Sequence, residues 1–390
     1  MQKMELLTQD FEAMVESVRR FVRERLRPSE PRLAEEDRVP EDILRDMKEM
    51  GLFATSLPEA YGGLGLSMEQ QVRLHMELTQ ASAVYRARLS TTIGLGSQPI
   101  LYHGTEAQKA YYLPRMASGE FTAAFGLTEP EAGSDAGSVR TTAVREGDGY
   151  VLSGVKRYIT NAPEADVFIV MARTDPAVPG AGGISAFIVD RGTKGLVVGE
   201  PDVKMGQAGS HTAEVYLNDC RVPVDALIGG REGEGFKTAM RGINHARLHV
   251  AATCVGQAIR ITGDALDYAL QRKQFDQPIA EFQSVQNLLA DCRTETYAAQ
   301  AMVLETARRQ DRGEDVISEI SCSKYFASEM VTRVADRAVQ IHGGAGYMAA
   351  YDVERLYRDV RLFRIFEGTS QIQQMLIARR MIQSAQQDRG

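Results

Sequence analysis

A chain of 390 residues, 44% hydrophobic and 25% charged, has the balance of a globular protein of about two or three domains, neither fibrous nor disordered. Lys and Arg total 45 against 52 Asp and Glu, and the resulting net charge of -7 offers no field for a nucleic-acid backbone. Cys220, Cys254, Cys292 and Cys322 are widely spaced with no C-x-x-C pair, so neither a metal site nor a disulfide framework is expected, and isolated thiols fit a reducing compartment.

Residues 1–16 are acidic and amphipathic and lack the apolar core of a signal peptide. No later stretch is long and apolar enough to span a bilayer, so the expected location is the cytoplasm, or an organellar matrix for a mature form. Phe11, Met14, Val15, Val18, Phe21 and Val22 share one helical face, which predicts a helix over residues 8–27 that Pro28 ends. A second helix is predicted from Pro40 to Gly51, followed by the loop Tyr61-Gly62-Gly63-Leu64-Gly65. Ser67 with Gln70, and Thr105 with Gln108, have the capping-box spacing of two further helix starts. Residues 1–120 thus read as an N-terminal α-helical domain.

Near Phe121 the period changes. Residues 121–127, 150–158, 167–172, 184–189, 196–198 and 214–217 are short β-branched or aromatic runs, with Gly147-Asp148-Gly149 as a hairpin tip. Residues 121–230 are predicted to form an antiparallel β-barrel or sandwich. Long helical patterns fill residues 231–390, broken near Phe275, Gly313 and His342, and suit a four-helix bundle. The fold class expected is multidomain α+β.

Two stretches carry chemistry. Glu367 follows the apolar pair Ile365 and Phe366 and precedes Gly368, with Thr369 or Ser370 as N-cap of a final helix. A carboxylate in apolar surroundings has its pKa raised toward neutrality, where it can serve as a base; the alternative is a solvated loop acid. The stretch from Gly126 to Ser138 (GLTEPEAGSDAGS) crowds hydroxyls and flexible glycines, as a polar cofactor ring would require, though a surface turn has the same composition. Phosphate-loop and G-x-G-x-x-G spacings are absent.

These two stretches together resemble the paired signatures of the acyl-CoA dehydrogenase family. Lys156-Arg157-Tyr158-Ile159-Thr160-Asn161, Arg272-Lys273-Gln274-Phe275 and Gln340-Ile341-His342-Gly343-Gly344-Ala345-Gly346 match in order, so the resemblance runs over nearly the whole chain. It implies FAD-dependent α,β-desaturation of an acyl-CoA. The acid aligned with Glu367 would remove the α-proton while a hydride leaves the β-carbon for flavin N5. The thioester oxygen would be bonded by the Glu367 N–H and a ribityl hydroxyl, with Gly368 leaving room.

The resemblance also assigns contacts. Phe125, Leu127, Thr128, Gly133 and Ser134, with Tyr158, Ile159 and Thr160, would surround the isoalloxazine ring. Arg272, Gln274, Phe275, Phe282 and Gln283 correspond to contacts with the pyrophosphate and adenine of an FAD held by a neighbouring subunit. Gln340, Gly343, Gly344, Thr369 and Gln371 would complete that site. Ser134, Asn244, Arg247 and Gly368 would bind the substrate. A homo-oligomer, most often a tetramer, and an electron-transferring flavoprotein as acceptor are implied, with no nucleic-acid or membrane partner. Three positions depart from the family pattern: Asn244 replaces a common aspartate, Ala208 a basic residue and Asp276 a glycine.

Tyr85-Arg86 with Ser90 resembles the glutaryl-CoA version of the acyl-pocket segment, but Thr79 stands where those enzymes carry an acid. A short or branched acyl-CoA is therefore the expected substrate. A dicarboxylyl acyl-CoA is the alternative, with Arg86 exposed on a helix surface if it plays no such part. Oxidase or monooxygenase chemistry on the same scaffold, or a non-catalytic scaffold, are the rival functions; Glu367 argues against a monooxygenase and a scaffold.

Overall fold

The computed structural model describes residues 2–387, with side chains from residue 9, so the side chains of the first eight residues in the amphipathic N-terminal reading lie outside the described residues. Seven helices come first: α1 (Gln2–Phe21), α2 (Arg27–Glu36), α3 (Glu41–Glu49), α4 (Met68–Leu78), α5 (Ala83–Ser90), α6 (Ser97–His103) and α7 (Glu106–Ala117). Pro28 does not end the first helix. The chain continues through a π-wound stretch, Val22–Leu26, into α2, and Pro28 sits in the first turn of α2, where its missing N–H costs nothing. Both capping boxes form, Ser67 with Gln70 and Thr105 with Gln108.

Seven strands follow: β1 (Ala123–Gly126), β2 (Thr142–Glu146), β3 (Gly149–Thr160), β4 (Val167–Arg173), β5 (Ile184–Asp190), β6 (Leu196–Val198) and β7 (Thr212–Pro223). They make one sheet, ordered β1-β4-β2-β3-β7-β6 with β5 beside β4. Most pairings are antiparallel, as expected; β1 and β2 meet β4 in parallel. Strands β4 and β5 are buried on both faces. Phe168, Val170, Phe187 and Val189 face the sheet's own core, while Ile169, Met171, Ala186 and Ile188 face a core shared with α6 and α7. Double burial explains their unbroken apolar runs.

The remainder is helical: α8 (Gly235–Gln271), a small hairpin of β8 (Lys273–Gln274) and β9 (Gln277–Pro278), α9 (Gln283–Asp311), α10 (Ile317–His342), α11 (Asp352–Val360) and α12 (Ser370–Gln387). Helices α8, α9 and α10 share an apolar core to which α4 and α11 add side chains, and α12 packs on α10. Ion pairs tie the regions together. Glu30 on α2, 2% exposed, meets Arg260 on α8 at 3.3 Å and Arg355 on α11 at 2.7 Å. Gln207, just before β7, bonds both the side chain and the carbonyl of Asp359. Among the described residues no helix is long and apolar enough to cross a membrane.

Candidate active site

The turn between α11 and α12 sets the site. Glu367 has φ +54° and Gly368 φ +95°, after which Thr369 caps α12 by accepting from the Ile372 N–H at 3.3 Å. A left-handed conformation at a non-glycine residue costs on the order of 1–3 kcal/mol and persists only where the surroundings impose it. Here they do. The Glu367 carbonyl accepts from Arg247 Nε at 3.0 Å and Gln373 Nε2 at 3.3 Å, and the Gly368 carbonyl from Lys324 Nζ at 2.7 Å and Gln373 Nε2 at 3.1 Å. The φ of +95° at Gly368 strains any L side chain, and a Cβ there would lie 2.7 Å from Gln373 Nε2 and 3.0 Å from Arg247 Nη2.

The Glu367 side chain keeps 10% of its exposure, and its Oε2 has no hydrogen-bond partner. Among the described residues its backbone N–H is also unpaired. Burial disfavours the carboxylate and raises its pKa above the ordinary value, while Arg86, Lys324 and Arg247 partly offset that rise. Arg86, on α5, is buried rather than surface-exposed: it is 3% exposed, its Nε is unpartnered, and Nη2 lies 4.0 Å from Glu367 Oε1. Asn244 Oδ1 accepts from Arg247 Nη1 at 2.8 Å. Behind Arg86, His75 and His249 stack at 4.2 Å and His245 meets His249 edge-on at 4.4 Å. Burial holds all three neutral, pushing His75 down to about 3 and His245 to about 4.

Of the β-region candidates, Leu127 and Thr128 meet the end of β3. Thr128 accepts from the Arg157 N–H at 2.8 Å, which seats the loop after β1 on β3. Lys156, fully buried, bonds Glu129 Oε1 at 2.6 Å and the Leu127 carbonyl at 3.3 Å. A bulge then turns Tyr158 outward with φ +58° and 58% exposure, Ile159 is buried, and Thr160 is half-buried. Phe125 and Thr128 are half-buried, Leu127 is buried, and Gly133 and Ser134 are exposed. Arg272, Gln274, Gly343 and Gly344 come together at a cavity of about 380 Å³ whose walls include Tyr268, His342 and Tyr351. A Cβ at Gly343 or Gly344 would meet open space. Phe275 is 87% exposed, edge-on to Phe282 at 6.0 Å, and Gln283, Gln340 and Gln371 are exposed, with Thr369 half-buried.

The chain matches the N-terminal domain of acyl-CoA dehydrogenases over residues 8–120, the middle domain over 124–220 and the C-terminal domain over 233–382. The chain belongs to the acyl-CoA dehydrogenase family. It is therefore an oxidoreductase of a FAD-dependent family. It is 41% identical to a 3-(aryl)acrylate reductase of Clostridium sporogenes, over 96% of this chain and 99% of that one. It is 41% identical to a caffeyl-CoA reductase-Etf complex subunit of Acetobacterium woodii, over 88% and 90%. Butyryl-CoA dehydrogenase from Megasphaera elsdenii superposes with a TM-score of 0.92 at 34% identity, covering 95% and 98%.

The residues present fit FAD. The Arg272 guanidinium, exposed and unpaired among the described residues, suits a pyrophosphate, the open glycines leave a cradle beside it, and the Thr128 and Thr160 hydroxyls make no bond within the described chain. Lys324 and the Lys156–Glu129 pair were not singled out as functional from the sequence. The signal for Lys324 was there: it stands in line with Ile320, Ala327 and Val331 on the buried stripe of α10.

Proposed function

We propose that this chain is a FAD-dependent acyl-CoA dehydrogenase that converts a short or branched acyl-CoA to its 2,3-enoyl-CoA, with Glu367 as the α-proton base. The carrying observation is a buried carboxylate with an unpartnered oxygen and raised pKa, beside its own free N–H. Such an acid takes a weakly acidic α-proton only if the developing enolate oxygen is stabilised. The Glu367 N–H, left open by Gly368, is a fixed donor for it. Burial excludes water, so the carboxylate is not solvated away from the substrate. When bound, FAD supplies the hydride acceptor. Ser134, Asn244, Arg247 and Gly368 form the substrate contacts, and Thr128, Tyr158, Thr160, Arg272 and Gly343 belong to those that hold the cofactor.

An electron-transferring flavoprotein is the proposed acceptor, and the proposed assembly is a homo-oligomer, a tetramer by resemblance, with FAD shared between subunits. The exposed Phe275, Tyr297 at 64% and Leu270 at 55% support an interface on the helical bundle. The cytoplasm, or an organellar matrix, is the proposed location. A second reading follows from Arg86. A buried guanidinium whose one ion-pair neighbour among the described residues is a 4.0 Å contact with Glu367 suits a carboxylate at the far end of a dicarboxylyl acyl chain. Thr79, fully buried and bonded to the His75 carbonyl at 2.6 Å, supplies no acid, so decarboxylation is not part of this reading.

Anaerobic titration of the purified holoenzyme with butyryl-, isobutyryl- and glutaryl-CoA tests both. Bleaching of the flavin by the first two supports the principal reading, and preference for glutaryl-CoA supports the second. No bleaching by any acyl-CoA across the panel refutes both.

A further inference from the structure

We propose that Lys324 is a positioning residue for Glu367, holding the Glu367–Gly368 turn in its left-handed conformation and keeping a cation beside the base so that it stays ionised. This inference rests on Glu367 being the base. Lys324 is fully buried about two turns into α10, and its Nζ donates to the Gly368 carbonyl at 2.7 Å. An ammonium has three donors and a strong preference for water, so a buried one in a helix core needs a compensating role. A neutral donor would satisfy one carbonyl. A cation also acts on the carboxylate one residue away.

Lys324 shares that effect with Arg86 and Arg247, but of the three it alone bonds the Gly368 carbonyl. From α8, Lys324 is faced by Arg247 and by Cys254, whose thiol burial pushes up to about 12 and so keeps neutral. From the turn it is faced by Glu367, and on α10 by Glu329. Glu329 is already bonded to Arg364 at 2.8 Å and Ser370 at 2.6 Å. Burial lowers Lys324 itself to about 8, partly offset by the Glu367 carboxylate, so its charge can be removed by pH as well as by substitution.

The test measures deuterium exchange from D₂O into the α position of a 3-thiaacyl-CoA on the holoenzyme. Sulfur at the β position carries no hydride, so proton abstraction is read without oxidation. Lys324→Met is expected to retain FAD, lose about tenfold or more in exchange at pH 7, and shift its acid limb to higher pH. Lys324→Arg is expected to recover most of the rate. Exchange by Lys324→Met within about twofold of wild type at every pH overturns the proposal. Should Lys324→Met fail to fold, the wild-type and Lys324→Arg profiles decide. A wild-type fall in exchange above about pH 8 that is absent in Lys324→Arg supports it, and the same limb in both, or none in the wild type, overturns it. Glu367→Gln in the same assay separates the two claims: if it exchanges normally the base assignment fails, and if it alone is inert only the Lys324 proposal fails.

Discussion

Substituting Lys156 by Met tests how the loop after β1 is held. Lys156 Nζ is fully buried at 2.6 Å from Glu129 Oε1, and Glu129, 7% exposed, also accepts from the Thr141 N–H at 2.9 Å and the Arg140 N–H at 2.6 Å. Removing the cation leaves a carboxylate buried without its counter-charge, which costs roughly 3–5 kcal/mol. The loop from Leu127 to Glu129 should then come away from β3, taking the Thr128 contact with Arg157 with it. Urea unfolding followed by circular dichroism, with FAD content read at the flavin band, is the assay. Lys156→Met is expected to lose roughly 3–5 kcal/mol and most of its FAD, and Lys156→Met/Glu129→Leu to regain much of the stability because neither charge remains. Burial opposes the Glu129 charge, but Lys156, Thr141 and Arg140 outweigh it and hold its pKa below 4.5. A lowered carboxyl pKa contributes stability above the unfolded value and loses it as pH falls through the folded value. The gap between wild type and Glu129→Gln should therefore be full above about pH 5 and close only as pH falls through the lowered folded value. A Lys156→Met protein within about 0.5 kcal/mol of wild type, or a double variant no better than the single, would refute the reasoning.

Arg86→Ala should change the preference between glutaryl-CoA and butyryl-CoA in flavin reduction by at least about tenfold, and an unchanged ratio means Arg86 does not select substrate. If the proposed oligomer shares FAD between subunits, Arg272→Ala should lose FAD and assembly together in analytical ultracentrifugation, because cofactor and partner would both favour it by mass action; a monomer that keeps tightly bound FAD contradicts this. The raised pKa of Glu367 penalises the folded state once pH exceeds the ordinary carboxyl value of 4.5, most fully above the folded pKa. Glu367→Gln should accordingly raise the melting temperature of the unliganded holoenzyme at pH 8, with the difference closing near pH 4, and a lower melting temperature at pH 8 counts against the desolvation argument.

Elements with strong local signals were legible in the sequence. The two capping boxes and the apolar runs of β4 and β5 depend on neighbours in the chain and on burial of both faces, both visible as pattern. The strand β2 was missed because only Ala143 of its five residues is buried, so no alternation shows. Strand β7 extends well beyond residues 214–217, but Asn218 and Asp219, the latter at φ +49°, interrupt its apolar pattern beside a bulge. Pro28 does not stop the helix because a π-wound stretch leads into a new helix whose first turn it occupies. At the site, Glu367 and its glycine were legible as a motif, whereas the burial of Arg86 was not. On α5 nearly every residue is buried, including Ala83, Val84, Tyr85 and Ala87, so the helix shows no polar face from which orientation could be read. The clamp on the Glu367 carbonyl joins Arg247 and Gln373, 126 positions apart, and no periodicity encodes such a contact.

The central claim, that Glu367 is the α-proton base, is tested most directly by rapid-mixing flavin reduction of the Glu367→Gln holoenzyme with an acyl-CoA that bleaches the wild type. The substitution keeps size and hydrogen bonding while removing the proton acceptor. Acyl-CoA should still bind, seen as a perturbed flavin spectrum, while reduction slows at least about a hundredfold. Reduction at a rate near that of the wild type would contradict the account.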